Sequence, residues 1–435
     1  MSVIAACATP WGRAALAVLR LSGEGADALA RAFVRPQGGW PPARRARLAT
    51  FFDAEGDFDE GLITWMPGPA SYTGEDCLEL SCHGNPLVVE RLLAAAVSGG
   101  ARIAEPGEFT RRAFLNGRVD LTRAEAVLQA IEARTPQGLQ VARRGLAGEV
   151  QALSASLREG LVAAIAELEA RLDYPSEDLT FEDDDALRGR IGRMGDRARS
   201  AAATWRSGRV LVEGAAVALV GPVNAGKSSL FNALGGSTRA LVSPTPGTTR
   251  DVVERRVVLG AVAVTLLDTA GQRDAQGLEA QGIALARALV EDADLWVVVV
   301  PAHAPHEAAE VLASASGRPH LVVHNHADRA PVDGLATIAS TGEGVDALGQ
   351  AIAEALVSEE PGAAGLVIAS QRQRDRLLEV GQATDRCLHA LAIEAGEAVA
   401  AEELYGALER LDALTGRDSR EAVLDALFAR FCIGK

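Results

Sequence analysis

The chain has 435 residues, 48% of them hydrophobic, and a formal charge of −15. That length holds two or three domains with real cores, and an acidic chain of this kind is no general nucleic-acid binder. Residues 1–118 are close to neutral, with twelve basic against thirteen acidic side chains, so any RNA contact is expected there and to be local.

Residues 1 to about 118 mix short alternating runs with Gly and Pro, the texture of an α+β module. Runs 15–21 and 62–65 read as strands, and Pro67-Gly68-Pro69 as a turn. Arg44, Arg45, Arg47 and Arg111, Arg112, Arg118 could supply the RNA contact; for the first of these clusters a solvated arginine face is the plainer reading. From Leu121 the texture becomes helical. Leu146, Val150, Leu153, Leu157, Leu161, Ile165, Leu168 and Leu172 recur every three or four residues, as in a long amphipathic helix. Pro175 ends it, since proline disfavours helix in the residue before it. Glu182-Asp183-Asp184-Asp185 reads as a solvated acidic loop, with a metal cluster as the other option.

A second helix is expected over roughly 184–207, then an apolar strand at 215–220 running into a glycine-rich loop. Strand and helix patterns alternate from there to about 357, which predicts a mostly parallel sheet with helices on both faces. After Pro361 the chain is helical again, through Leu377, Leu388, Leu391, Leu404, Leu408, Leu411, Leu424 and Phe428. The expected organisation is therefore a multidomain α/β chain. It has an α+β module at 1–118, a helical domain split into 119–210 and 359–435, and an α/β domain inserted at 211–358. The five cysteines (Cys7, Cys77, Cys82, Cys387, Cys432) fit no zinc spacing and follow no signal peptide, so reduced thiols in the cytoplasm are expected. No apolar run reaches the length of a membrane span.

Of 43 basic residues only two are lysines, Lys227 and Lys435. Lys227 lies in Gly221-x-x-x-x-Gly226-Lys227-Ser228, between a strand and a helix. That spacing makes a phosphate loop, in which main-chain N–H groups close on phosphate oxygens and a compact ammonium reaches the terminal phosphates. Ser228 suits Mg²⁺ and Ser229 an α-phosphate oxygen. Asp268-Thr269-Ala270-Gly271 ends the strand at 262–267; Asp268 suits a water-mediated Mg²⁺ contact and the Gly271 amide the γ-phosphate. Thr249, in Gly247-Thr248-Thr249-Arg250-Asp251, could complete the Mg²⁺ shell. Together these three segments predict a Ras-like nucleoside triphosphatase domain. Guanine is the expected base, because Asp328 in Asn325-His326-Ala327-Asp328 can accept both N–H donors of its Watson–Crick edge. This run resembles the Asn-Lys-x-Asp signature of GTPases, with His326 in the lysine's place. The loop 339–344 matches the usual closing motif only in part, with Ile338 where a serine is usual.

The whole chain resembles the MnmE (TrmE) family of tRNA-modification GTPases. The likeness is carried by Ala8-Thr9-Pro10-x-Gly12-Arg13, Arg20-Leu21-Ser22-Gly23, Ser71-Tyr72-Thr73-Gly74-Glu75-Asp76 and Cys82-His83-Gly84, by the run from Pro106 to Gly117, and by Cys432-x-Gly434-Lys435. The resemblance implies an N-terminal folate-binding and dimerisation domain, a helical domain split by the G domain, and a homodimer. It implies a partner, the FAD-dependent GidA protein, in a heterotetramer acting on C5 of the wobble uridine of tRNA. It implies that Arg20, Glu79, Arg118 and Lys435 hold a 5-formyl- or methylenetetrahydrofolate, and it offers Cys432 as a catalytic thiol. It also implies a K⁺ ion held by Asn224 and by Ser243, Thr245 and Thr248. Asn224, Ala225, Gly226, Lys227, Ser228, Ser229, Ser243, Thr248, Thr249, Asp268, Gly271, Asn325 and Asp328 would then line the GTP site. Glu279 matches the family's water-orienting acid, while Gln272 stands where Ras-like enzymes carry a glutamine for the same task. The competing reading is a GTP-dependent binding switch, such as a ribosome-assembly GTPase. The folate positions and the C-terminal tail separate the two, since a switch needs neither.

Overall fold

The computed structural model describes residues 2–173, 181–237, 253–268, 288–357, 365–393, 396–417 and 421–434. They form two units, one running to Leu128 and resuming at Asp412, the other from Gln129 to Leu411.

Alternation of side chains builds the first unit. Its seven-stranded sheet has the order β3 (Val34–Pro36), β4 (Ala46–Asp53), β5 (Gly56–Met66), β6 (Cys77–His83), β2 (Leu16–Ser22), β1 (Ile4–Cys7), β7 (Arg102–Ile103). Only β1 and β7 pair in parallel. On β2, Ala17, Leu19 and Leu21 join Leu78 and Leu80 of β6 and Ile63 of β5 in one buried cluster. The helices α1 (Ala26–Ala30) and α2 (Pro86–Ser98) contribute Ala26, Ala30, Val89, Leu92 and Ala96 to the same cluster. Each such leucine contributes about 1.5–3 kcal/mol on burial. Because successive side chains point to opposite faces, Arg20 and Glu79, register partners on β2 and β6, lie on the other face.

That second face is floored by Ile4, Ala6, Ala104 and Phe109, with Tyr72 packed against them. Phe109 belongs to α3 (Glu108–Leu115). Beside it, α4 (Leu121–Glu132) and α14 (Glu421–Phe428) share a core of Leu121, Ala124, Leu128, Leu424 and Phe428, to which Phe431 adds.

Several motif residues turn out to be structural. Thr73 Oγ1 lies 2.7 Å from Ser22 Oγ and 3.2 Å from Cys77 Sγ, and Ser22 donates to Glu75 at 3.0 Å. Arg112, buried, donates to Glu75 at 2.9 Å and to Glu108 at 3.1 Å. Glu108 also accepts from Arg102 and from the amide of Glu105, each at 2.9 Å. Burial opposes the Glu108 charge, but these donors outweigh it and hold its carboxyl below the usual range. Arg112 is thus an interior cation, which removes it from the expected RNA contact. Arg111 reaches Asp425 at 3.0 Å, and Arg47 caps the carbonyls of Gly38 and Gly39 at 2.8 Å.

In the second unit, Val- and Leu-rich runs make a six-stranded sheet. Its order is β13 (Ala336–Thr337), β12 (His320–Asn325), β11 (Leu295–Pro301), β8 (Ala215–Val220), β10 (Val262–Asp268), β9 (Val253–Leu259). All pairs are parallel except the β9–β10 hairpin. One face packs against α9 (Lys227–Ser237) and α11 (Val345–Leu356), the other against Ala308 and α10 (Ala309–Ala315). This is the mostly parallel, two-sided sheet expected from the alternation of patterns.

The helices α5 (Pro136–Ala147), α6 (Glu149–Asp173), α7 (Asp184–Ala203), α8 (Trp205–Glu213), α12 (Gln371–Ala390) and most of α13 (Gly396–Thr415) complete that unit. The single helix expected at 184–207 is two. Thr204 donates to the Ala201 carbonyl at 2.7 Å and accepts the Ile368 amide at 2.9 Å, a local side-chain alternative to helix. The acidic run is a helix start: Asp183 accepts from the amides of Asp185 and Ala186 at 3.0 and 3.2 Å. Among the described residues no helix is long and apolar enough to cross a membrane.

Candidate functional site

The phosphate loop leaves β8, which ends at Val220 in the buried centre of the sheet. Asn224 and Gly226 both take left-handed φ, 62° and 86°, which turns successive N–H groups into one concavity suited to an anion. Only glycine fits at 226, where a Cβ would lie 2.1 Å from Asn325 Nδ2. Lys227, which begins α9, is buried, and its ammonium donates to the carbonyls of Gly221 at 3.0 Å and Pro222 at 2.8 Å. The charge is therefore folded over the loop rather than out in solvent. Ser228 and Ser229 follow on the first turn of α9, both exposed, as is Asn224. The Asn224 carboxamide has no partner among the described residues.

Asp268 ends β10 and is the register partner of Leu219 on β8, so it stands beside the strand that feeds the loop. The base loop follows β12. Asn325 is fully buried, and its side chain donates to Ala225 O at 2.9 Å. Its Oδ1 accepts from Ala339 N at 3.2 Å and Thr337 Oγ1 at 3.3 Å. One side chain thus joins the phosphate loop, the base loop and the loop after β13. His326 adds a second link, Nε2 to Asn224 O at 3.4 Å, from a left-handed backbone with φ 62°. Asp328 is exposed two residues on. The structure brings Asn224, Ala225, Gly226, Lys227, Asn325 and His326 together. Ser243, Thr245, Thr248, Thr249, Gly271, Gln272 and Glu279 lie outside the described residues.

The first unit gathers a second set. Arg20 forms an ion pair with Glu79 at 2.7 Å, donating through Nε and Nη2 to Oε1, and donates through Nη1 to Gly434 O at 3.2 Å. Its guanidinium also stands 5.7 Å from the centroids of both Tyr72 and Phe109. Burial raises the Tyr72 phenol above its ordinary value, while its bond to Thr110 and the Arg20 charge work against that rise. The tail residue Gly434 is seated on β1, and a Cβ there would lie 2.6 Å from Cys7 O. Cys432 is exposed. Arg118 is exposed and donates to Ser71 O at 3.2 Å. Lys435 lies outside the described residues. Glu79 Oε2 has no partner among the described residues, and a carboxylate beside an aromatic floor can take the adjacent N–H donors of a pterin edge. Sequence reasoning did not single out Tyr72 and Phe109, although both stand inside the motifs quoted above.

Two of the buried thiols are held in their protonated form by their surroundings. Burial, with smaller contributions from Asp59 and Cys7, pushes Cys82 up to about 11, and burial with Glu403 pushes Cys387 up to about 12.

Two family models match the chain: "GTP-binding protein TrmE N-terminus" over residues 3–118 and "MnmE helical domain" over 121–432. A protein of Myxococcus xanthus named tRNA modification GTPase MnmE is 43% identical over 445 residues, covering 99% of this chain and 98% of its own. One of the same name from Akkermansia muciniphila is 40% identical over 450 residues, with the same coverage. Among solved structures, the G domain of the T. maritima FeoB iron transporter is 27% identical, covering 32% of this chain and 98% of its own, at a TM-score of only 0.26. Full-length likeness of this kind, with both family models matched, shows that the chain belongs to the MnmE family of tRNA-modification GTPases.

Proposed function

We propose that this chain, a GTPase of tRNA modification by family, spends GTP on a folate-dependent change at C5 of the wobble uridine. The group added is carboxymethylaminomethyl or aminomethyl. The partner is a GidA-type FAD protein, in a heterotetramer whose core is a homodimer through the N-terminal domains (residues 1–118), in the cytoplasm. The four-part division, with helical segments 119–210 and 359–435 flanking a G domain at 211–358, belongs to the same reading.

The phosphate, Mg²⁺ and base roles follow the chemistry of the side chains; the K⁺, water-orienting, folate and thiol roles follow the family resemblance. The amides at 224–227 and the Lys227 ammonium take the phosphates, with Ser229 on the α-phosphate and the Gly271 amide on the γ-phosphate. Ser228 and Thr249 hold Mg²⁺, with Asp268 behind a water. Asp328 reads guanine while Asn325 holds its loop to the phosphate loop. The Asn224 carboxamide, without a partner among the described residues, would hold K⁺, with Ser243, Thr245 and Thr248 as further oxygens; the ion would supply positive charge to the triphosphate, as an arginine finger does. Glu279, rather than Gln272, orients the attacking water. Arg20, Glu79, Arg118 and Lys435 hold 5-formyl- or methylenetetrahydrofolate, and Cys432 is the candidate catalytic thiol.

The observation that favours this over a GTP-dependent switch is the meeting of Arg20, Glu79 and the tail carbonyl of Gly434, from three distant parts of the sequence. A switch has no use for that assembly. Equilibrium binding of 5-formyltetrahydrofolate to the full chain and to Arg20→Ala tests it. Binding lost in the variant supports the enzyme; no binding by either favours the switch.

A further inference from the structure

We infer that His303 is a positioning residue of the nucleotide pocket: it holds the ring of His326 where that ring meets the base. This rests on the GTP reading above. The two rings stand with centroids 5.9 Å apart and planes 61° apart, an edge-on contact of the kind aromatic pairs favour.

The backbone under His303 is fixed on both sides. Ala302 N donates to Asn325 O at 2.8 Å, and Ala304 N to Pro301 O at 3.1 Å. Ala302 and Ala304 are buried, while His303 between them is exposed. The loop after β11 therefore presents one outward ring, and it is anchored to Asn325, the residue just before His326. The side chain of that same Asn325 donates to Ala225, so one buried residue ties the loop under His303, the start of the His326 loop and the phosphate loop together.

His326 needs such a support. It occupies the place of a lysine whose long stem packs on the base. An imidazole is shorter, and its cover of a base depends on the plane in which it is held. Its other contact is the long 3.4 Å approach to Asn224 O, too weak to fix a plane alone. The left-handed backbone at His326 aims the side chain back towards Asn224 and Gly226; a Cβ on Gly226 would lie 3.3 Å from His326 Nε2. The edge of His303 supplies the second constraint.

The test is a double-mutant cycle on the full chain, read by steady-state GTP hydrolysis and by calorimetric GDP binding with Mg²⁺. The variants are His303→Ala, His303→Phe, His326→Lys and His303→Ala with His326→Lys. His303→Ala should raise the KM for GTP and the Kd for GDP about two- to tenfold with kcat unchanged. His303→Phe should restore both, and His303→Ala should have no effect once Lys stands at 326. An unchanged KM in His303→Ala, or the same loss in both backgrounds, overturns the inference. A parent chain that binds no GDP overturns the GTP reading itself, and this inference with it.

Discussion

The side-chain amide of Asn325 donates to the carbonyl oxygen of Ala225 across 2.9 Å, and nothing of Asn325 is open to solvent. Through that bond the loop proposed to read the base is held to the loop proposed to grip the phosphates. Asn325→Ala leaves the Ala225 carbonyl and the Ala339 amide unpaired, at about 1–3 kcal/mol for each buried group. GDP affinity should fall by about ten- to a hundredfold. Calorimetry with Mg²⁺ checks this, and an unchanged Kd would show that the two loops are set independently.

On the proposed function, Asp328 carries the choice of base. Asp328→Asn replaces an acceptor with a group that donates, so preference should move from guanine to xanthine nucleotides, by at least about tenfold in relative KM. Competition between GTP and XTP hydrolysis measures it.

Gly434→Ala tests the seat of the tail. The added methyl meets Cys7 O at 2.6 Å, a main-chain atom that cannot move without shifting β1. The tail should lift, the Arg20 bond to Gly434 O should break, and 5-formyltetrahydrofolate affinity should drop by about tenfold. GTP hydrolysis by the second unit is the internal control.

Acid should weaken the first unit through Glu108. Its folded carboxyl titrates below the ordinary value, so it stabilises the fold above the unfolded pKa of about 4.3. That stability is lost as pH falls through the folded value. Glu108→Ala leaves the buried Arg112 with Glu75 as its remaining carboxylate partner, and should cost about 1–3 kcal/mol at neutral pH while flattening the acid dependence. Urea unfolding between pH 7 and pH 3 measures both.

Thiol labelling should single out Cys432. It is exposed, whereas Cys7 is half-buried and Cys77, Cys82 and Cys387 are buried, and burial holds the thiols of Cys82 and Cys387 at about 11 and about 12. A maleimide at pH 7 should react quickly with one site in the native chain, and Cys432→Ser should abolish that phase.

The sequence made the G-domain sheet legible because its strands are buried on both faces and read as unbroken apolar runs; 215–220 was located residue for residue. The strand at 62–65 was underestimated, since β5 extends from Gly56 through acids that face solvent or pair with Arg35 and His83. The break at Thr204 was invisible because it depends on Ile368, far along the chain. Arginine counting overstated the RNA surface, since nothing in a run of letters says that Arg112 lies between Glu75 and Glu108. The phosphate loop could be read because its glycines answer to local geometry. The contact of His303 with His326, and that of Arg20 with Gly434, arise only once the sheets are assembled.

Mass analysis of the wobble uridine in tRNA, from cells lacking this chain and supplied with the parent or with Lys227→Ala, is the most direct test. The parent should restore the C5 modification, and Lys227→Ala, deprived of the ammonium over its phosphate loop, should not. Uridine left unmodified by both, or fully modified by the lysine variant, would contradict the account.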